Sequence, residues 1–178
     1  MSKKKVIIVD TSAVLSGKPL TFNDAAMTTV PSIQEEIRKG GRSSRNLEYL
    51  INTGLNTEAP STRSISIIKK TAERTGDLDR LSKTDVELLA LALDYRNNDY
   101  DVTILTDDYS IQNISETLHI NFQGLNQRGI TKKFKWIRQC PGCRKKYNKN
   151  IKTCHICGAE TNLIPAKKTN IKKAERQG

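Results

Sequence analysis

Five acidic side chains and four cysteines stand where residue type and spacing could do chemistry. Asp10 directly follows the apolar run Val6–Val9, and Asp107-Asp108 follow Val102–Leu105 after a single Thr. Asp85 shortly precedes the apolar run Leu88–Leu93, and Glu36 lies in a segment opened by Pro31. Converging carboxylates repel one another and hold their protons unless a divalent cation neutralises them. Hard oxygen donors without His or Cys suit Mg²⁺ or Mn²⁺, ions that orient a phosphodiester, activate water and stabilise a leaving oxygen. Each acid also has a structural use. Ser82-Lys83-Thr84-Asp85 fits a capping box, Asp107 or Asp108 can cap a following helix, and Glu36 beside Glu35 can be a solvated helix face. Thr11, Ser12 and Thr106 are hydroxyls that either orient a carboxylate or act as caps and turn residues.

Cys140-Pro-Gly-Cys143, ten residues, then Cys154-His-Ile-Cys157 offers four thiolates to one structural Zn²⁺. All the cysteines are confined to this module, so the rest of the chain should fold without zinc. His155 sits between two ligands and should point outward, and His119 has no partner motif for catalysis. Around the cysteines lie Lys132, Lys133, Lys135, Arg138, Arg144, Lys145, Lys146 and Lys149, interleaved with Phe134, Trp136 and Tyr147. Cations there would neutralise RNA phosphates, while the aromatics either stack on bases or pack between domains.

The elements that must place these groups follow from patterning. Lys5–Val9 and Val102–Leu105 are short runs of the kind buried on both faces of a parallel sheet, with a third strand expected within Ile120–Leu125. A helix is expected from Pro31-Ser32 to about Lys39, mainly helical structure over 43–75 with breaks at Gly54 and near Pro60, and a further helix to about Leu118. The helix from Ser82 to about Asn97 is apolar nearly all round and must be covered by its neighbours. Alternating strands and helices give an α/β fold, a parallel sheet flanked by helices, followed by a small zinc ribbon. Domains are expected at 1–126, at 131–164 for the ribbon with a preceding basic strand, and at 165–178 for a flexible basic tail.

Charge divides the 178 residues the same way. Residues from 131 onward hold fourteen Lys/Arg against two acids, whereas the preceding 130 hold sixteen against seventeen. A neutral body with a strongly basic extension implies a polyanionic partner, most simply nucleic acid. No apolar run approaches the roughly 20 residues of a membrane helix, and no signal peptide is evident, so a cytoplasmic location is expected.

V-D-T-S at 9–12, Pro31-x-x-x-x-Glu36, L-S-K-T-D at 81–85 running into E-L-L-A-L-A-L, and I-L-T-D-D at 104–108 resemble the four signature blocks of the PIN-domain ribonucleases. The resemblance covers about residues 5–125 and implies a divalent-metal site of Asp10, Glu36, Asp85 and Asp108, with Asp107 as a candidate fifth acid. The final block with its Tyr109-Ser110-Ile111-Gln112-Asn113, followed by a Cys-rich module, is similar to the Nin-one-binding (Nob) type, endonucleases that mature the 3′ end of small-subunit ribosomal RNA. That similarity implies a Mn²⁺- or Mg²⁺-dependent endoribonuclease acting on precursor rRNA of the small ribosomal subunit, with ribosome-assembly proteins as candidate partners and no membrane. Two alternatives stay open: a toxin-type PIN ribonuclease, which would be expected to have no ribbon, and a non-catalytic zinc-ribbon assembly factor.

Overall fold

A computed structural model describes residues 3–18, 20, 24–37, 40–125 and 132–170, without the side chains at 133, 167, 169 and 170. Lys5–Val9 (β1) and Asp101–Leu105 (β4) pair in parallel at the centre of a five-stranded sheet. Ala25–Thr29 (β2) and Leu55–Thr57 (β3) extend it on one side and Asn121–Gln123 (β5) on the other, giving the parallel order β3-β2-β1-β4-β5. Strand periodicity sorts the core. Val6 and Ile8 join one apolar cluster while Ile7 and Val9 join the other, so the sheet is covered on both faces as its β-branched runs require.

One face carries Thr11–Leu15 (α1), Ile33–Glu36 (α2) and Arg42–Asn52 (α3); the other carries Thr62–Thr75 (α4), Lys83–Asn97 (α5) and Tyr109–Thr117 (α6). Leu88 to Leu93 of α5 are all buried, which accounts for its unbroken apolar stretch. The segment after Pro31 differs from expectation. Its helix ends at Glu36 because Ile37 is extended and buried against the α1–α3 layer, and residues 38 and 39 lie outside the described set. β2 and β3 escape the patterning because AAMTT and LNT carry little apolar signal; their extents are imposed by pairing, β2 on β1 and β3 on β2. Among the described residues no helix is long and apolar enough to cross a membrane.

The second sheet is antiparallel, β7-β6-β8, built from Lys132–Gln139 (β6), Lys146–Tyr147 (β7) and Asn162–Asn170 (β8). Here the expected tail from residue 165 needs correction. β8 continues to Asn170, pairing Lys132 with Asn170 and Trp136 with Pro165, because β6 offers a full strand edge across a one-residue irregularity at Lys135/Trp136. Residues 171–178 and the composition break within 126–131 lie outside the described set.

β6 is bound tightly to the body. Asn113 of α6 pairs with Phe134 as a strand would, its Oδ1 accepting from the Phe134 N–H at 2.9 Å and its Nδ2 donating to the Phe134 carbonyl at 3.0 Å. Gly76, the left-handed C-cap of α4 at φ 82°, lies under Trp136; a Cβ there would overlap the Trp136 carbonyl and come within 2.7 Å of the Trp136 Cβ. The sequence casts Arg138 as a candidate RNA contact, and the structure engages it at this seam. Its guanidinium pairs with Asp79 and donates to Asn150 Oδ1 at 2.6 Å and the Thr161 carbonyl at 2.8 Å, leaving its side chain 13% exposed. Hydrogen bonds from Arg138 and Asn150 outweigh slight desolvation and hold the Asp79 carboxyl below its usual range.

Candidate active site and metal-binding cysteines

The chain leaves β1 toward β2 and β3, then returns to the other side of β1 as β4, so the connections diverge at the carboxyl ends of these two strands. That divergence opens the crevice where open α/β sheets place ligands. Asp10 leaves β1 there, and Thr106-Asp107-Asp108 leave β4.

Asp10 is 3% exposed and is also the N-cap of α1. Its carboxylate accepts from the Thr11 N–H and the Ser12 hydroxyl, each at 2.6 Å, and from the Thr106 hydroxyl at 2.7 Å. Desolvation nevertheless raises its pKa above the ordinary carboxylate value, against those hydrogen bonds. Asp85 completes the expected capping box: it accepts from the Ser82 N–H at 2.7 Å while its own N–H donates to Ser82 Oγ at 3.1 Å. Burial, aided by the charges of Asp10 and Asp108, pushes the Asp85 carboxyl up to about 6 despite the Ser82 N–H. Three acids from three elements therefore share one electrostatic environment. Each is both a helix starter and a member of the crevice, so the two readings open at the sequence level are not exclusive.

Asp108 caps α6, accepting from the Ser110 N–H at 2.5 Å and the Ile111 N–H at 3.3 Å. Asp107 is aimed elsewhere; its Oδ1 accepts the Leu125 N–H at 2.8 Å, and its own N–H donates to Ser12 Oγ at 3.1 Å. Of the doubled Asp, the second adds a small like-charge contribution to the rise at Asp85, behind burial and the charge of Asp10. Glu36 is exposed yet not idle. It accepts from the Thr11 hydroxyl at 2.7 Å and from the Ser82 hydroxyl at 2.9 Å, joining the starts of α1 and α5 across the crevice. Ser82 enters the sequence reading only as a cap, and its contact with Glu36 has no local signature. His119 is exposed in a left-handed turn after α6, at the far end of that helix from Asp108.

The donor set fits a hard divalent ion. Among the described residues no Lys or Arg forms an ion pair with Asp10, Glu36, Asp85 or Asp108, so the accumulated negative charge has no internal partner. The acids stand further apart than a compact ligand cage, since only the cysteines have donor atoms all within 4.8 Å of one another among the described residues. Mg²⁺ does not need such a cage, because it commonly keeps several waters and takes only one or two carboxylates.

The cysteines do form a cage. Cys140 Sγ lies 3.3 Å from Cys157 Sγ, and Cys143 Sγ 3.5 Å from Cys154 Sγ, near the roughly 3.8 Å edge of a tetrahedron with Zn–S bonds of about 2.3 Å. The two knuckles are copies. The Cys140 N–H donates to the Lys145 carbonyl as Cys154 does to Ala159, and the Arg144 N–H to Cys140 as Gly158 does to Cys154. Arg144 and Gly158, occupying the same turn position, both have positive φ, 60° and 73°. The Tyr147 hydroxyl contacts Cys154 Sγ at 3.1 Å and holds that thiol down at about 5, so Tyr147 belongs to the metal module. His155 packs its exposed ring beside Tyr147, as expected of a residue pointing away from the thiols.

Lys132, Lys135, Arg144, Lys145, Lys146 and Lys149 are exposed, while the Lys133 side chain lies outside the described set. Phe134 and Trp136 stack on each other at 5.7 Å, and Trp136 lies against Gly76 and Arg80 of the body, which favours the packing alternative for Trp136.

The chain is similar in sequence to known proteins. The family model described as the PIN domain of ribonuclease matches residues 7–95. The chain is similar to "Endoribonuclease Nob1" of Archaeoglobus fulgidus, 36% identical over 88% of this chain and 89% of the relative. It resembles the protein of the same name from Pyrococcus abyssi, at 32% over 93% and 97%. It is likewise similar to "Ribonuclease VapC1" of Thermoplasma acidophilum, at 39% over 87% and 76%.

Proposed function

Because the chain belongs to the PIN-domain endoribonucleases, we propose that it cuts precursor small-subunit ribosomal RNA at its 3′ end during ribosome biogenesis. The observation that carries the catalytic part is the placement of Asp10, Asp85 and Asp108 in one electrostatic environment at the divergence of β1 and β4. These three would hold Mg²⁺ or Mn²⁺, with Glu36 as a fourth acid and Asp107 bracing the loop to Leu125. A bound divalent ion supplies Lewis acidity toward a phosphodiester and lowers the cost of ionising water. The chain's part is to keep the carboxylates aimed. Thr11, Ser12 and Thr106 fix the Asp10 oxygens, and Ser82 fixes Asp85 and Glu36 together. In-line attack by water would leave a 3′-hydroxyl and a 5′-phosphate.

Zn²⁺ on Cys140, Cys143, Cys154 and Cys157 would hold the two knuckles, which present exposed Lys and Arg to the RNA backbone. The relatives named Nob1 and this basic module support ribosomal RNA as substrate; the relative named VapC1 supports a toxin-type ribonuclease of other RNA as the second reading. Incubating the full chain with a small-subunit precursor transcript and with unrelated transcripts, with and without Mn²⁺, tests both. One metal-dependent cut at the 3′ boundary supports the first reading; equal cleavage of the unrelated RNAs supports the second; no cleavage overturns both.

A further inference from the structure

Arg80 differs from the other cations near the crevice because its orientation is set while its terminal nitrogens remain available. It ends the 3₁₀ turn Leu78–Arg80, two residues before Ser82, the hydroxyl that joins Glu36 and Asp85. Its Nε donates to Ser110 Oγ at 3.3 Å, and the Ser110 N–H in turn donates to the Asp108 carboxylate. The guanidinium carbon lies 4.7 Å from the centroid of the Trp136 ring, so the fork is also stacked on β6. Arg80 is exposed, and among the described residues its two terminal nitrogens make no hydrogen bond.

A guanidinium fixed by stacking and by Nε keeps a planar pair of donors that matches two phosphate oxygens. Its neighbours explain why such a group is needed here. The crevice concentrates negative charge, and an RNA strand entering it meets repulsion from Asp10, Asp85 and Asp108. A pre-oriented cation at the rim offsets that repulsion for a phosphate beside the one being cut. Among the described contacts of the exposed Lys and Arg of the second sheet and knuckles, Lys168 has a single ring contact, over Phe134 at 5.9 Å, whereas Arg80 is held at two points and reached by both parts of the molecule.

We propose that Arg80 grips a phosphate of single-stranded RNA one or a few linkages from the scissile bond, and that Trp136 is a positioning residue for it. β6 would then serve the crevice directly, by holding this clamp, as well as linking the basic module to the body. The proposal rests on the ribonuclease reading above but is tested apart from it.

Binding of a single-stranded oligoribonucleotide is measured in an Asp10→Asn full-length background, where cutting does not intervene. Arg80→Met should weaken binding about tenfold, the scale of one charge-assisted contact, and lower the slope of log affinity against log salt by about 0.7. Replacing RNA linkages one at a time by neutral methylphosphonates should reveal one position that costs the protein with Arg80 intact several-fold and the Arg80→Met variant nothing further. Arg80→Lys, which keeps the charge in a fold less open to question, should retain the salt slope but lose most of the preference for that linkage. Trp136→Leu should blunt the same linkage effect when Arg80 is present and add nothing in the Arg80→Met background. An unchanged salt slope in Arg80→Met, or an unchanged linkage profile in Arg80→Lys, overturns the assignment. Wild-type protein that leaves RNA intact with Mg²⁺ and Mn²⁺ overturns the nuclease reading instead, while the binding measurements still judge Arg80.

Discussion

In the parallel-sheet body, Asp10, Asp85 and Asp108 each start a helix whose apolar face the sheet already holds, so the acids are guests of a finished core. In the knuckles from 140 to 160 only Cys140 and Cys154 are buried among the described residues, so the thiols are themselves the framework. Charge is handled oppositely too. The body gathers uncompensated carboxylates, and the cysteine module presents cations to solvent. One metal would therefore tune a structure that exists without it, whereas the other would supply the folding energy. The seam at Gly76, Asp79 and Asn113 qualifies any full independence of the two parts.

The largest effect should come from the thiols. Cys143→Ser, or zinc removal by chelation, should unfold the knuckles, since structural zinc contributes on the order of 10 kcal/mol in units this small. Circular dichroism with a zinc-release dye should show the body still melting cooperatively, at a lowered temperature because the packing against β6 is weakened. Simultaneous collapse of the body on chelation would erase the contrast between the two regions.

Asp10→Asn should come next. It preserves shape but removes charge from the crevice and turns one of the two accepting oxygens into an NH₂ donor, and single-turnover cleavage should fall by on the order of a thousandfold or more. RNA affinity should stay within about twofold, because the exposed cations lie elsewhere. Cutting at the wild-type rate would remove the crevice from the mechanism.

Gly76→Ala addresses the seam. The added Cβ would press on the Trp136 backbone at a position with φ 82°, so a loss of about 2–3 kcal/mol is expected from combined overlap and strain. Denaturant unfolding measures it, and a neutral result would mean that β6 can lift away at little cost.

The pH dependence of the metal-free protein bears on the electrostatic contrast. Asp85 titrates near the ordinary 3.8 when unfolded but at about 6 when folded. Its contribution to stability is therefore fully present below pH 3.8, is lost as pH rises toward 6, and changes little above that. Asp85→Asn should flatten the melting temperature over this window, and saturating Mn²⁺ should restore stability more at about pH 7.5 than at about pH 5. A pH profile identical in the two proteins would contradict the burial assigned to Asp85.

The smallest effect should be Arg144→Gly. Glycine at the matching turn of the second knuckle adopts the same left-handed backbone without strain, so the variant should gain up to about 1 kcal/mol in zinc-dependent stability. Competition with a chelator reads this out.

Lys5–Val9, Val102–Leu105 and the helix after Ser82 are legible in the sequence because burial on both faces, or all round, demands unbroken apolar runs. β2 and β3 are not, since their partners rather than their residues set their extent. The cysteine spacing announces a cage because four thiols within a short loop have few other uses in a chain with no further Cys. The positions of Asp10, Asp85 and Asp108 at element ends can likewise be read locally, as can the charge asymmetry that sets apart the residues from 131 onward.

Tertiary structure alone decided which roles those residues take. It turned Asp107 to Leu125 and Asp108 to the first turn of α6, drew Glu36 to Thr11 and Ser82, and engaged Arg138 as a brace on Asp79. It also extended β8 to Asn170 and brought Trp136 beneath Arg80. Helix starts, strand burial and metal spacing are short-range in sequence, so residue types reveal them. Charge pairing and stacking join residues tens of positions apart, and only the packed chain determines which partners come within reach.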